Sequence, residues 1–450
     1  MSVFNGQRLT NEAFKLDVER MRRGWYSDKY FANILAMLHG VSQNDGYQGE
    51  FAREIGCDPT GLNVGDLEVE MQFFTRRPGK TVIVGVDKAL AMLRHCTGYF
   101  DEQGEWVETW QHLRVTAVHD GATTEYQGDA LRVQPVINIR GRYRDFALLE
   151  TPMLGILSRG SRIATNVYNV LRAARGKQVL FFPARFDLHE VQAADGYAYD
   201  IAVARFNRDY EGRLLSFVST DAQGDWWGGG GGGTIAHAAI ACFLSDTAAA
   251  MMAFAKYVPP EVLRIALVDF NNDSILDSLR VMKAMFAQYA ALVEAGDEAE
   301  ARRYVLYGVR LDTSGGLRDV NVPPLGDPAL DLGVTPRLVF NVRQALDSAW
   351  ENWELPPHQL ELAQSYCHAV KIVATGGFNP EKISRFEKLK VPADIYGVGS
   401  SLLSNDKETN TDFTADVVRV KIGETWYDMA KVGRGAAPNP DLEPVGLGEL

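Results

Sequence analysis

Two rhythms of hydrophobic and polar positions divide the chain. Over the first 150 residues, helical and strand-like patterns follow one another in no regular order. "SDKYFANILAMLHG" sets Phe31, Ile34, Leu35 and Leu38 at helical spacing. "LEVEMQFFTRR", "KTVIVGVD" and "ALRVQPVINIRG" alternate or run apolar over strand lengths, with Gly, Pro and Asp between them. This predicts an α+β layer. From Leu149 the rhythm becomes regular. "RIATNVYNVLRAAR" predicts a helix and "KQVLFFPAR" a strand; "RLLSFVSTDAQG" predicts a strand and "HAAIACFLSDTAAAMMAFAKYV" a helix. "VLRIALVDFNND", "RRYVLYGVRLDTSGG", "HAVKIVATGGF" and "ADIYGVGSSLL" continue as strands, with the long helical "SILDSLRVMKAMFAQYAALVEAG" among them.

Strands alternating with helices indicate parallel βα units. The expected class is α/β, a barrel over 149–404. An α+β domain, 1–148, is completed by 405–450, where "DFTADVVRVKIGETWYDMAKVGR" returns to strand character.

Composition narrows the function classes. With 46% hydrophobic and 23% charged residues, the 450-residue chain has material for one large core or two. No run of about 18 uninterrupted apolar residues occurs, so no membrane span is expected. "MSVFNGQRLTNEAF" lacks the basic start and apolar stretch of a secretory leader. Cys57, Cys96, Cys242 and Cys367 show no CxxC spacing; Cys242 and Cys367, in apolar surroundings, are expected to be buried thiols. A cytoplasmic location follows as an expectation. The net charge of -12 argues against nucleic acid as a partner.

A parallel barrel carries its active site at the C-terminal ends of its strands. Arg185, Asp221, Asp269, Asp273, Arg310 and Asp312 all fall there, as do the glycine-rich exits with Gly376, Gly377, Gly397, Gly399 and Ser400. Backbone N–H groups in such loops can face an anion. The carboxylates could hold Mg²⁺, which takes one or two of them plus substrate phosphates. Two arginines could clamp phosphate or carboxylate oxygens. Singly, each residue has an ordinary reading as a cap, turn or ion pair. Together they predict an enzyme for a phosphorylated small molecule. No lysine stands at these strand ends, which disfavours Schiff-base chemistry on a sugar phosphate.

"GTIAHA", "LVDFNND", "GVRLDTSGG", "ATGGFNPEKI" and "DIYGVGSSL", in this order, resemble the motifs of nicotinate phosphoribosyltransferases. "LLETPMLGILSRGSRIAT" and "SDKYFANIL" fit the same family, so the resemblance spans about residues 27–434. It implies an irregular α/β barrel of the type II phosphoribosyltransferase kind, built into a homodimer with sites at the subunit interface. The implied reaction joins nicotinate to phosphoribosyl pyrophosphate, giving nicotinate mononucleotide and pyrophosphate in NAD synthesis. ATP and Mg²⁺ take part, with ATP hydrolysis coupled through a phosphohistidine.

By resemblance, His237 is the phosphorylated residue, and Arg310 and Asp312 engage the phosphoribosyl group, with Asp312 on the ribose hydroxyls. Phe182 stacks on the pyridine ring, Tyr30 reaches it from the neighbouring subunit, and Arg185 meets phosphate. Thr234 joins the substrate-binding set. Gly376, Gly377, Gly399 and Ser400 form the 5′-phosphate loops. Asp269, with Asp273, lies on the metal side. The chain departs from the pattern at Phe186, where a second arginine is common, and at Ala238, where a serine is common. Asp221 stands where the related nicotinamide enzymes carry an amide-recognising acid. Transfer to nicotinamide or quinolinate, and a catalytically inactive phosphosugar-binding relative, therefore remain as alternatives.

"WWGGGGGGTIAHAA", with Gly228 to Gly233, poses its own question. Six glycines carry a large conformational entropy. They are expected to form a mobile approach to the active site that becomes ordered when ATP or phosphoribosyl pyrophosphate binds.

Overall fold

The computed structural model describes residues 6–450 apart from positions 45, 46, 48, 55, 57 and 59. Cys57 lies outside the described residues. One layer is a six-stranded antiparallel sheet in the order Thr425–Asp428, Phe413–Ile422, Glu68–Thr75, Ile137–Arg142, Arg114–Ala117, Glu443–Pro444. Three of its strands come from the C-terminal segment. The central strand Glu68–Thr75 is buried at every position after the first. Its Glu70 carboxylate, 2% exposed, is compensated from both neighbouring strands, by Arg140 at 2.8 Å and Arg419 at 3.2 Å. The same sheet packs Met71, Phe73, Ile137 and Ile139 on the helix Val86–Cys96.

Helix Glu150–Ala173 belongs to both cores. Met153 and Leu157 pack with the antiparallel sheet; Ile163, Val167, Tyr168 and Leu171 pack with the second layer.

That second layer is a five-stranded, wholly parallel sheet: Gln178–Phe181, Ile395–Val398, Lys371–Ala374, Gly308–Leu311, Ile265–Leu267. Its edge continues through single parallel bridges from Phe181 to Val218 and from Val218 to Gly231. The segment after Gly231 then reaches the far strands through side chains, Arg310 Nη1 donating to Thr234 Oγ1 at 3.0 Å and His237 bonding Asp269 at 3.0 Å. The α/β class and the irregular, barrel-like curl of the sheet agree with the sequence.

Two elements differ from expectation. "RLLSFVSTDAQG" contributes only Val218 to the sheet, because Thr220 and Gln223 form a capping box that turns Asp221–Gly224 into a 3-10 helix. "HAAIACFLSDTAAAMMAFAKYV" is two helices, His237–Cys242 and Thr247–Tyr257. Leu244 and Ser245 take left-handed φ of 55° and 67°, and Asp246 caps the second helix. Cys242 is exposed, unlike Cys96 and Cys367, because the short helix lies at the surface. No described helix is long and apolar enough to cross a membrane.

A buried acid gives the fold a pH signature. Asp120 accepts the Gly85 and Val86 N–H groups at 2.8 and 2.9 Å and the Tyr197 hydroxyl at 3.1 Å. Burial, then the neighbouring Asp87, push its carboxyl up to about 7. A raised acid binds more protons folded than unfolded, so stability should decline as pH rises from the ordinary carboxylate range through about 7. Asp120→Asn should flatten that decline and raise stability at pH 8 relative to the wild-type chain. Urea unfolding at pH 5 and pH 8 measures it; an unchanged pH slope would contradict the assignment.

Candidate active site

Because the five strands run parallel, Phe182, Asp269, Arg310, Asp312, Thr375, Gly397 and Gly399, at or just past their C-terminal ends, collect at one end of the sheet. A cavity of ≈ 520 Å³ opens there. Its walls include Phe182, Arg185, Thr234, His237, Arg310, Asp312, Gly376, Gly377, Gly399 and Ser400. Ten residues singled out from the sequence thus meet around one space.

The floor carries charge. Arg310 lies 4.0 Å from Asp312 and donates to Thr234, while its Nε is buried without a partner. Burial draws the Arg310 guanidinium below its ordinary value, against the pull of Asp312 and Asp269. Arg185 sits at the mouth, exposed and forming no ion pair among the described residues, its guanidinium 5.4 Å from the Phe186 ring. Phe186 takes part of the space beside Gly399, where a Cβ would meet its ring at 2.6 Å.

Opposite lie two glycine loops. Gly376 and Gly377 both adopt left-handed φ, +88° and +65°, which glycine alone adopts without strain. Gly397 lets the Phe182 ring lie flat against the strand, since a Cβ there would stand 2.9 Å from it.

His237 is the first residue of its helix and keeps 46% of its side chain exposed. Its Nε2 meets Asp269 Oδ1 at 3.0 Å. Burial raises the Asp269 carboxyl, and the His237 hydrogen bond and charge oppose the rise. With Nε2–H held by this carboxylate, Nδ1 keeps its lone pair as a nucleophile.

Three expected residues stand elsewhere. Asp273 caps helix Ser274–Glu294 by accepting the Leu276 N–H at 3.0 Å, and it also accepts from Asn321 at 2.9 Å. It caps that helix and is not among the residues lining the cavity. Asp221 Oδ1 accepts the Gly231 N–H at 2.9 Å and is likewise absent from the cavity wall. Tyr30 lies on helix Lys29–Asn44, 54% exposed, its ring tilted against Phe31 at 4.3 Å, and it is not among the residues lining this chain's cavity.

The glycine run is hydrogen-bonded to its surroundings, and Gly232 and Gly233 line the cavity. Gly228 and Gly229 N–H groups bond the Gly224 carbonyl, and Gly232 N–H bonds Val218 at 2.8 Å. A Cβ at Gly229 would strike the Trp227 ring, one at Gly231 the Thr220 backbone, and one at Gly232 the Phe217 ring. Close approach demands these glycines. Sequence reading also missed Lys382, whose Nζ donates to the Gly376 carbonyl at 3.0 Å from beneath the loop. Its place in "GGFNPEK", one turn into a helix that opens right after the glycine pair, was the available signal.

With this geometry in view, the comparisons acquire meaning. Residues 58–161 match the family described as quinolinate phosphoribosyl transferase, N-terminal domain. The fold resembles the solved nicotinate-nucleotide pyrophosphorylase from Pyrococcus furiosus, with TM-score 0.60 and 22% identity over 95% of this chain and 84% of that one. It also resembles human nicotinic acid phosphoribosyltransferase, with TM-score 0.55 and 15% identity over 88% of this chain and 75% of the human one. No curated protein matches the chain significantly in sequence.

Proposed function

We propose that the chain is a pyridine phosphoribosyltransferase that joins nicotinate to phosphoribosyl pyrophosphate, a reading supported by its N-terminal match and by its fold. One observation carries the reading. A single cavity unites two glycine loops, Arg310 with an open buried donor, Asp312 and the Phe182 ring. The loops at Gly376–Gly377 and Gly399–Ser400 offer N–H groups to the 5′-phosphate. Asp312 accepts from the ribose hydroxyls. Phe182 presents a flat face on which the pyridine ring is oriented for attack, a proximity effect. The ring nitrogen forms a bond to C1 of the ribose as the C1–O bond to pyrophosphate breaks. Arg185 and Arg310 stabilise the departing anion.

Among the described residues no three His, Cys, Asp or Glu side chains converge as a metal cage. A magnesium ion would be held by Asp269 together with substrate phosphate oxygens, where it would neutralise charge on the leaving group. His237, with Asp269 behind it, accepts a phosphoryl group from ATP. Tyr30, exposed on its own subunit, is the residue a dimer would present to the neighbouring cavity.

The choice of base rests on charge. Arg185 and Arg310 are the arginines of the described cavity wall, and both are engaged by the phosphoribosyl donor, so a monocarboxylate suits the site better than a dicarboxylate. The acid that would favour an amide, Asp221, is held by Gly231 instead. The second reading is quinolinate, supported by the N-terminal match. The test is product formation from nicotinate, nicotinamide and quinolinate, each with and without ATP. Nicotinate is expected to be the preferred base, with ATP raising the yield. Turnover of quinolinate but not nicotinate would overturn the proposal, and turnover of none would favour the inactive, phosphosugar-binding alternative.

A further inference from the structure

The loop after strand Lys371–Ala374 is gripped from behind at two carbonyls. Lys382 Nζ donates to the Gly376 carbonyl at 3.0 Å, and Ser401 Oγ donates to the Phe378 carbonyl at 2.9 Å. Lys382 comes from helix Pro380–Lys388, whose cap Asn379 accepts the Lys382 N–H at 2.8 Å, so its backbone is fixed as well. Its ammonium lies 4.2 Å from the centre of the Phe378 ring and has no carboxylate partner among the described residues. Burial, then the Arg385 charge, draw it down to about 8, so it still carries its proton at neutral pH. A half-buried lysine that keeps its charge without an ion pair carries a desolvation cost, and a structural helix residue needs no such charge.

The peptide between Gly376 and Gly377 is trans. In a planar trans peptide the C=O and the following N–H point in opposite directions. A donor holding the Gly376 oxygen from beneath therefore turns the Gly377 N–H away from itself, toward the cavity that Gly376 and Gly377 line. A charged donor on the oxygen also withdraws electron density from the peptide, which strengthens the opposite N–H as a donor.

We propose that Lys382 is a positioning residue for phosphate: it orients and polarises the Gly376–Gly377 peptide so that its N–H binds the 5′-phosphate of the ribosyl substrate. This rests on the phosphoribosyl reading of the site. The role is electrostatic as well as geometric, so Lys382→Arg should retain most of it and Lys382→Met should not.

Binding of ribose 5-phosphate to the full chain, followed by titration calorimetry, tests the role without requiring turnover. Lys382→Met should weaken ribose 5-phosphate about tenfold or more and leave nicotinate affinity unchanged. Lys382→Arg should recover most of the loss. In turnover, the KM for phosphoribosyl pyrophosphate should rise by a similar factor with kcat changing far less. Unchanged ribose 5-phosphate affinity in Lys382→Met overturns the proposal, as does an equal loss of nicotinate affinity, the mark of a merely structural role. Should Lys382→Met fail to fold, Lys382→Gln replaces it, and full phosphate affinity in that neutral variant overturns the proposal. A wild-type chain that binds ribose 5-phosphate yet turns over no pyridine defeats the proposed reaction alone, since the same titration still decides the role of Lys382.

Discussion

His237→Ala is expected to reduce the rate with ATP to the rate without it, while nicotinate and phosphoribosyl pyrophosphate still bind. The imidazole stands on the cavity wall, and the glycine loops, Phe182 and Asp312 line the same cavity from other elements. Removing it takes away the phosphoryl acceptor and leaves the rest of the site assembled. With labelled ATP, the wild-type chain should acquire an acid-labile, alkali-stable label that His237→Ala lacks. A label that survives this substitution would end the phosphohistidine scheme.

Asp269→Asn should lower the ATP-dependent rate steeply, on the order of 10²–10⁴-fold, because the carboxylate at 3.0 Å orients the imidazole ring. Burial raises the Asp269 carboxyl. The pair weakens as pH falls through that raised value, so the acid limb of the ATP-dependent rate should lie above the ordinary carboxylate range.

Which parts of this site were legible beforehand follows from what a residue type can encode. The parallel strands Gln178–Phe181, Lys371–Ala374 and Ile395–Val398 are short apolar runs bounded by glycine or polar exits, a pattern written in the sequence. Helix Gln192–Tyr210 was not read. Its buried residues, Tyr197, Ala198, Tyr199, Ile201, Ala202, Val203 and Phe206, surround the helix rather than forming one stripe. The carboxylates expose a deeper limit. Asp221, Asp269 and Asp273 all follow strand-like runs, but only Asp269 turns to the histidine; the others bond backbone N–H groups. Composition cannot separate these fates, because an acid that caps and an acid that reacts have the same chemistry until the backbone is in place. For Asp273 a signal existed in its place just before a long amphipathic run, the signature of a helix cap.

Gly231→Ala should be the most damaging substitution in the glycine run, and the comparison with its neighbours decides what the run is for. A Cβ at 231 would lie 2.7 Å from the Thr220 carbonyl carbon and 2.8 Å from the Asp221 nitrogen. Both are backbone atoms, so no side-chain rotation relieves the clash. The Val218–Gly231 bridge must open, and the 2.9 Å bond from Gly231 N–H to Asp221 is strained or lost with it. Overpacking of this kind costs about 1–3 kcal/mol. Thr234 and His237 follow within one short segment, so the displacement reaches Arg310 and Asp269 through their hydrogen bonds, and activity should fall beyond what the loss of folded protein explains. Gly230 and Gly233 meet nothing within 4 Å at the same hypothetical atom, and neither has a left-handed φ. Alanine at either should be neutral or slightly stabilising, by reducing the freedom of the unfolded chain. If the run served as a flexible approach, alanine at 230 or 233 would harm activity as much as alanine at 231, with little change in stability. If it is a wall strand built for close approach, thermal unfolding and turnover should both single out Gly231.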